Sequence, residues 1–161
     1  MHARRAATLL LPTALALGPA AAGEFGDPIR GLTPDELQRF GDRRLFTQIG
    51  CASCHVRSLA SGASPVAALR FQTFYPYSDF LLHDMGSLGD GIEQGQATGG
   101  EMRTAPLWGL RLFTAFLHDG RAGTIEEAIL AHDGQGRAAR DRFAALPAEE
   151  KVTLVAFLRT L

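Results

Sequence analysis

The stretch Gly50-Cys51-Ala52-Ser53-Cys54-His55 decides how this chain is read. It holds the only two cysteines of the 161 residues, three positions apart, with a histidine directly after the second. Residues three apart on one helical turn share a face, so both sulfurs point one way and the histidine stands beside them. That arrangement suits two thioether bonds to the vinyl groups of a haem, with the imidazole aimed at the iron. Three plainer uses compete: a structural disulfide, a thioredoxin-like redox pair and half of a zinc site. A redox pair belongs after a strand in a βαβ unit, whereas this pair follows a helical stretch. Zinc would want more thiolates, and the chain has no other cysteine. The reading is therefore one covalent haem c on Cys51 and Cys54, with His55 as an iron ligand.

The N-terminal end bears on the same choice. Arg4 and Arg5 precede the apolar run Ala6–Leu17, and Pro19-Ala20-Ala21-Ala22 supplies small residues for cleavage, which is the pattern of a secretory signal peptide over residues 1–22. The run is short for a bilayer, and no later stretch is apolar enough to cross one, so no transmembrane segment is expected after cleavage. Export, most simply to the periplasm, puts the cysteines in an oxidising compartment where they must be bridged, metallated or attached to a cofactor. Residues 23–161 are long enough for one core and are read as one domain. A net charge of −1 with no basic run excludes a phosphate-tracking surface, and nucleic acid is not expected as a partner.

Helices are expected on both sides of the motif. Thr33-Pro34-Asp35-Glu36 has the grammar of a capping box with proline in the first turn, and Leu37, Gly41, Leu45 and Ile49 recur at four-residue intervals, with Phe40 beside Gly41, so a helix is expected to about Gln48. From Pro147 to Leu161, Glu149 and Glu150 come early, Val152, Leu154, Val155, Phe157, Leu158 and Leu161 follow, and Arg159 lies in the last turn. Two terminal helices beside the cysteine motif resemble the class I cytochrome c fold. No long alternating strand pattern appears, and the chain contains 18 glycines. The expected fold is thus all-α, with long Gly/Pro-rich loops. Phe71, Phe74, Tyr75, Pro76, Tyr77 and Phe80 crowd one segment and offer apolar walls, although ordinary core packing would ask for the same residues. Thr124-Ile125-Glu126-Glu127 is a second capping box opening a short helix with Ile125, Ala128 and Ile129 on its apolar face. His132 continues that face, where a histidine is more often a hydrogen-bonded core residue than a ligand.

Taken together, these stretches resemble the C-terminal haem domain of bacterial di-haem cytochrome c peroxidases, and more closely the group known as di-haem or thiol oxidoreductases. The matching segments are Gly50–His55, Tyr77–Gly86, Arg103–Leu110, Phe116–Ala122 and Thr124–His132. The resemblance implies that His132 occupies the place of the second iron ligand, giving His55/His132 coordination. Met85 and Met102 are rival ligands, and either would raise the reduction potential relative to two imidazoles. Arg103 is a candidate partner for a haem propionate. The resemblance places His118 and Arg121 in the haem surroundings. Trp108 is a packed aromatic or part of an electron path, and His83 is read as a loop residue bonded to the backbone in preference to a substrate or axial role.

Members of that family carry two Cys-x-x-Cys-His motifs, and this sequence has one. Peroxide chemistry needs an iron with an open position, which two protein ligands would close. The thiol name finds no support, since haem attachment consumes both cysteines. The expected function is single-electron transfer between periplasmic redox proteins. The alternative is the electron-delivery half of a di-haem peroxidase-like oxidoreductase whose catalytic haem lies on a second haem subunit. Peroxidase-like activity is expected only with such a partner or after ligand loss.

Overall fold

The computed structural model describes residues 43–161. The expected signal peptide and the Thr33–Glu36 capping box, with Leu37, Phe40 and Gly41, lie outside them. Helix α1 covers Arg43–Gln48 and buries Phe46. It ends where Gly50 takes φ 97°, a left-handed turn that glycine adopts without strain, and the chain passes into a tight 3-10 turn at Cys51–Ser53. A guanidinium from the far end of the sequence closes this junction: Arg142 Nη1 donates to the Ile49 carbonyl at 3.2 Å.

Three further helices lie in the C-terminal part: α2 at Ile125–Leu130, α3 at Arg137–Ala144 and α4 at Ala148–Leu158. The capping box of α2 forms as the sequence indicates, with Thr124 accepting from the Glu127 N–H and the Glu127 carboxylate accepting from the Thr124 N–H. Helix α3 carries no apolar stripe in Arg137–Ala144 and buries only Phe143. Phe46 of α1 meets Phe157 of α4 edge to face, with ring centroids 5.7 Å apart. Around this contact Ile49, Tyr75, Tyr77, Ile125, Phe143, Leu154, Leu158 and Leu161 complete the core. Each such side chain stabilises the fold by about 1.5–3 kcal/mol when withdrawn from water.

The all-α expectation is wrong. Two antiparallel two-stranded sheets form between the helices. Strand β1, Leu59–Ala60, pairs with β2, Thr73–Phe74, and β3, Leu82–Asp84, pairs with β4, Glu101–Arg103, in the register His83 opposite Met102. The strands are two or three residues long, too short for the alternation by which a strand is recognised, and 3-10 turns and irregular loops fill the intervening chain. The terminal helix contact is real, but it does not make the domain a helical one. Among the described residues no helix is long and apolar enough to cross a membrane.

Candidate functional site

The 3-10 turn presents Cys51 and Cys54 as separate thiols and delivers His55 just after them, its N–H donating to the Cys51 carbonyl at 3.0 Å. A second strip of chain runs alongside. The N–H groups of Tyr77, Ser78 and Asp79 donate to the carbonyls of Arg57, Val56 and Cys54 at 3.5, 2.9 and 2.8 Å. This pairing brings the Tyr77 carbonyl to the His55 ring, where Nδ1–H donates to it at 2.9 Å. His55 therefore keeps Nε2 as its free lone pair. Burial pushes the ring's pKa down to about 4, outweighing the Tyr77 bond that would raise it, so the imidazole is neutral near pH 7 and able to ligate a metal.

His132 follows α2 and is fixed in the same manner, its Nδ1–H donating to the Ala128 carbonyl one turn back at 2.7 Å. The two imidazoles are neighbours, with ring centroids 6.4 Å apart and planes inclined at 52°. Both spend Nδ1 on a backbone carbonyl and leave Nε2 open, which is the outer-sphere arrangement that orients metal-bound histidines.

The thiols are not poised as nucleophiles. Burial lifts Cys51 to about 11, and burial together with the charge of Asp79 raises Cys54 as well. Thiols held protonated near neutral pH make a poor exchange pair, which weakens the redox use of the pair.

Beside Cys54 lies a second group of polar side chains. Asp79, His83 and Cys54 bring their donor atoms within 4.8 Å of one another. His83 Nε2–H donates to Asp79 Oδ2 at 2.9 Å, and Nδ1 lies 3.0 Å from Gln135 Oε1 and 3.8 Å from Cys54 Sγ. Burial would raise Asp79, but the Leu81 N–H and the His83 ring hold its carboxyl below the usual range. His83 thus sits on a strand and bonds side chains, where the sequence suggested a loop residue bonded to the backbone.

A family model described as "di-haem oxidoreductase, putative peroxidase" matches residues 27–161. The chain belongs to this family. Membership gives it a haem-linked redox role of the di-haem oxidoreductase and peroxidase kind. No curated protein and no solved structure gives a match.

The spacing of the two rings suits a haem iron held between them. A five-membered ring with sides of ~1.35 Å places each atom ~1.15 Å from its centre, and a metal–imidazole bond is about 2.0 Å. Two imidazoles on opposite sides of one iron then have centroids about 6.3 Å apart, and those of His55 and His132 are 6.4 Å apart. Any inclination between the planes is allowed, because each ring can turn about its own metal bond.

The other expected site residues lie elsewhere. Arg103, on β4, is exposed and holds its guanidinium 5.8 Å from the centre of the Phe80 ring. His118 and Arg121 are exposed in the turn around Gly120, and Arg121 pairs with Asp119. Trp108 is 48% exposed and packs against Phe80, centroids 6.4 Å apart. Met102 stands opposite His83 in the sheet, and Met85 lies on the turn against Gly136, the residue on which His132 also packs. The Tyr77 carbonyl, Asp79 and Gln135 were not foreseen. A carbonyl belongs to every residue and leaves no mark in a sequence.

Proposed function

We propose that the chain is an exported, periplasmic c-type cytochrome that passes single electrons through one haem, attached covalently by Cys51 and Cys54 and held by His55 and His132. The spacing of the two imidazoles, each with Nδ1 tied to a carbonyl, is the observation that carries this reading. Haem, when bound, supplies an iron that gains and loses one electron. The protein's part is to keep both ligands in place in either oxidation state, so that little rearranges as the charge changes. The Nδ1 bonds restrain each ring and strengthen its Nε2 as a donor. Phe46 and Tyr77, buried behind His55, keep water from the proximal side. The family resemblance adds His118 and Arg121 as haem neighbours, and the bidentate match of guanidinium to carboxylate makes Arg103 the proposed propionate partner. Two protein ligands leave no open position for peroxide. Electron donor and acceptor are then other periplasmic redox proteins.

The experiment is electrochemistry and peroxide turnover on the haem-loaded chain. A single reversible one-electron couple without peroxide consumption is the expected result. Turnover by the isolated chain would reject the carrier reading.

A second reading is favoured by one observation: the family is described as di-haem, and this sequence has a single Cys-x-x-Cys-His. In it the chain is the electron-delivery half of a peroxidase-like oxidoreductase, and the catalytic haem belongs to another chain. Co-purification of a second haem protein, with peroxide consumed by the pair alone, is its signature.

A further inference from the structure

We infer that His83 is a positioning residue that clamps the turn carrying His132 to the Cys54 segment, so that the His83–Gln135 bond controls release of the distal imidazole. The inference rests on the two-imidazole reading above and adds a residue to which that reading gives no role.

The connection is continuous. The Asp79 N–H donates to the Cys54 carbonyl at 2.8 Å, the Asp79 carboxylate accepts from His83 Nε2–H at 2.9 Å, and the lone pair left on His83 Nδ1 lies 3.0 Å from the Gln135 side-chain amide, which donates to it with its NH2 end turned to the ring. Gln135 is three residues beyond His132. In β3 the side chains of Leu82 and Asp84 are exposed while His83 between them is half-buried, so the strand itself turns the ring inward. Its neighbours from each packed element are Cys54 from the haem-binding turn, Asp79 from the loop before β3, Met102 across the sheet and Gln135 from the distal turn.

The distal turn is held differently along its length. At Asp133 and Gly134 a side-chain carboxylate and tight backbone packing do the holding. Asp133 Oδ2 accepts from the Ser87 N–H at 3.2 Å, and Gly134, at φ 52°, packs so closely on the Asp84 carbonyl and the Gly86 N–H that no side chain fits there. Further along, the chain at Gly136 passes close to His132: a methyl group built there would stand 3.2 Å from His132 Cδ2 and 3.1 Å from Met85 Cε. Gln135 lies between the interlocked part and this ring contact, and its side chain bonds His83. Cutting that bond loosens the residues that pack beside the ring and leaves the interlock at Asp133 and Gly134 intact.

The test is cyanide binding to the ferric, haem-loaded chain, followed by stopped-flow spectroscopy, since cyanide enters only when His132 leaves. His83→Ala and Gln135→Ala should each speed binding about tenfold, the effect of one net hydrogen bond, with the resting low-spin spectrum retained. The double variant should be no faster than either single one, because both remove the same bond. His83→Gln, which can still bond Asp79 and Gln135, should bind cyanide close to the wild-type rate. Gln135 is exposed, so its variant keeps the test open if His83→Ala fails to fold. Wild-type rates in both alanine variants would overturn the inference, even if their melting temperatures fall. A wild-type chain that is high-spin at rest would instead overturn the two-imidazole reading, and the inference with it.

Discussion

Gly136 lies against His132 so closely that an added methyl group would stand 3.2 Å from both Cβ and Cδ2 of the histidine. The backbone at Gly136, φ −81° and ψ −13°, suits any residue, so alanine there would act through this contact and not through backbone strain. Overpacking of this kind costs about 1–3 kcal/mol, and alanine is also a poorer N-cap than glycine before α3. Gly136→Ala is expected to lower the urea midpoint and to increase the high-spin fraction of the ferric chain. Ultraviolet circular dichroism and visible absorption on one sample would measure both.

The acid limb of stability should depend on Asp79. Its folded pKa lies below the ordinary value because the Leu81 N–H and the His83 ring bind the carboxylate against the opposing effect of burial. The unfolded chain then takes up the proton first as pH falls. The stabilisation is complete above the unfolded carboxyl value of about 3.9 and is lost as pH drops through the lower folded value. Asp79→Asn should be less stable at pH 7 and should show a shallower fall in melting temperature below about pH 4. Equal acid slopes in the two proteins would contradict the assignment.

Tyr77 is 1% exposed, and its hydroxyl has no hydrogen-bond partner among the described residues. Its ring packs edge to face on Phe46 and Phe157, centroids 6.1 Å from each. An unsatisfied buried hydroxyl costs about 1–3 kcal/mol, so Tyr77→Phe is expected to match or exceed the wild type in urea denaturation. Phe157→Ala in the same core should lose about 3–5 kcal/mol. A marked loss in Tyr77→Phe would show that the hydroxyl has a partner in the haem-loaded chain.

Which parts of this architecture were legible beforehand follows from how far each signal extends along the chain. The Thr124–Glu127 capping box is local chemistry and forms as written, and the C-terminal helix has enough apolar residues to reveal its period, ending at Leu158 where Leu161 was expected. Helix α3 was missed because Arg137–Ala144 buries a single side chain. The sheets were missed because Leu59–Ala60 and Leu82–Asp84 are too short to alternate. At the candidate site, the grouping of Cys51, Cys54 and His55 is visible in their spacing. That His132 lies beside His55 was implied by the family resemblance alone, since a histidine ending an apolar face has a plainer explanation, and the structure brings the two rings to 6.4 Å. The Tyr77 carbonyl and Gln135 depend on contacts across 22 and 52 residues of sequence, to His55 and His83, that no local pattern encodes.

The most direct test of the central claim is the mass and the ferric spectrum of the mature chain, produced together with haem-maturation machinery. The expected protein carries one porphyrin that survives denaturation, is low-spin in both oxidation states, and lacks the weak long-wavelength band that marks methionine on ferric haem c. A colourless chain without added mass, or a coloured one that is high-spin when ferric, would contradict it.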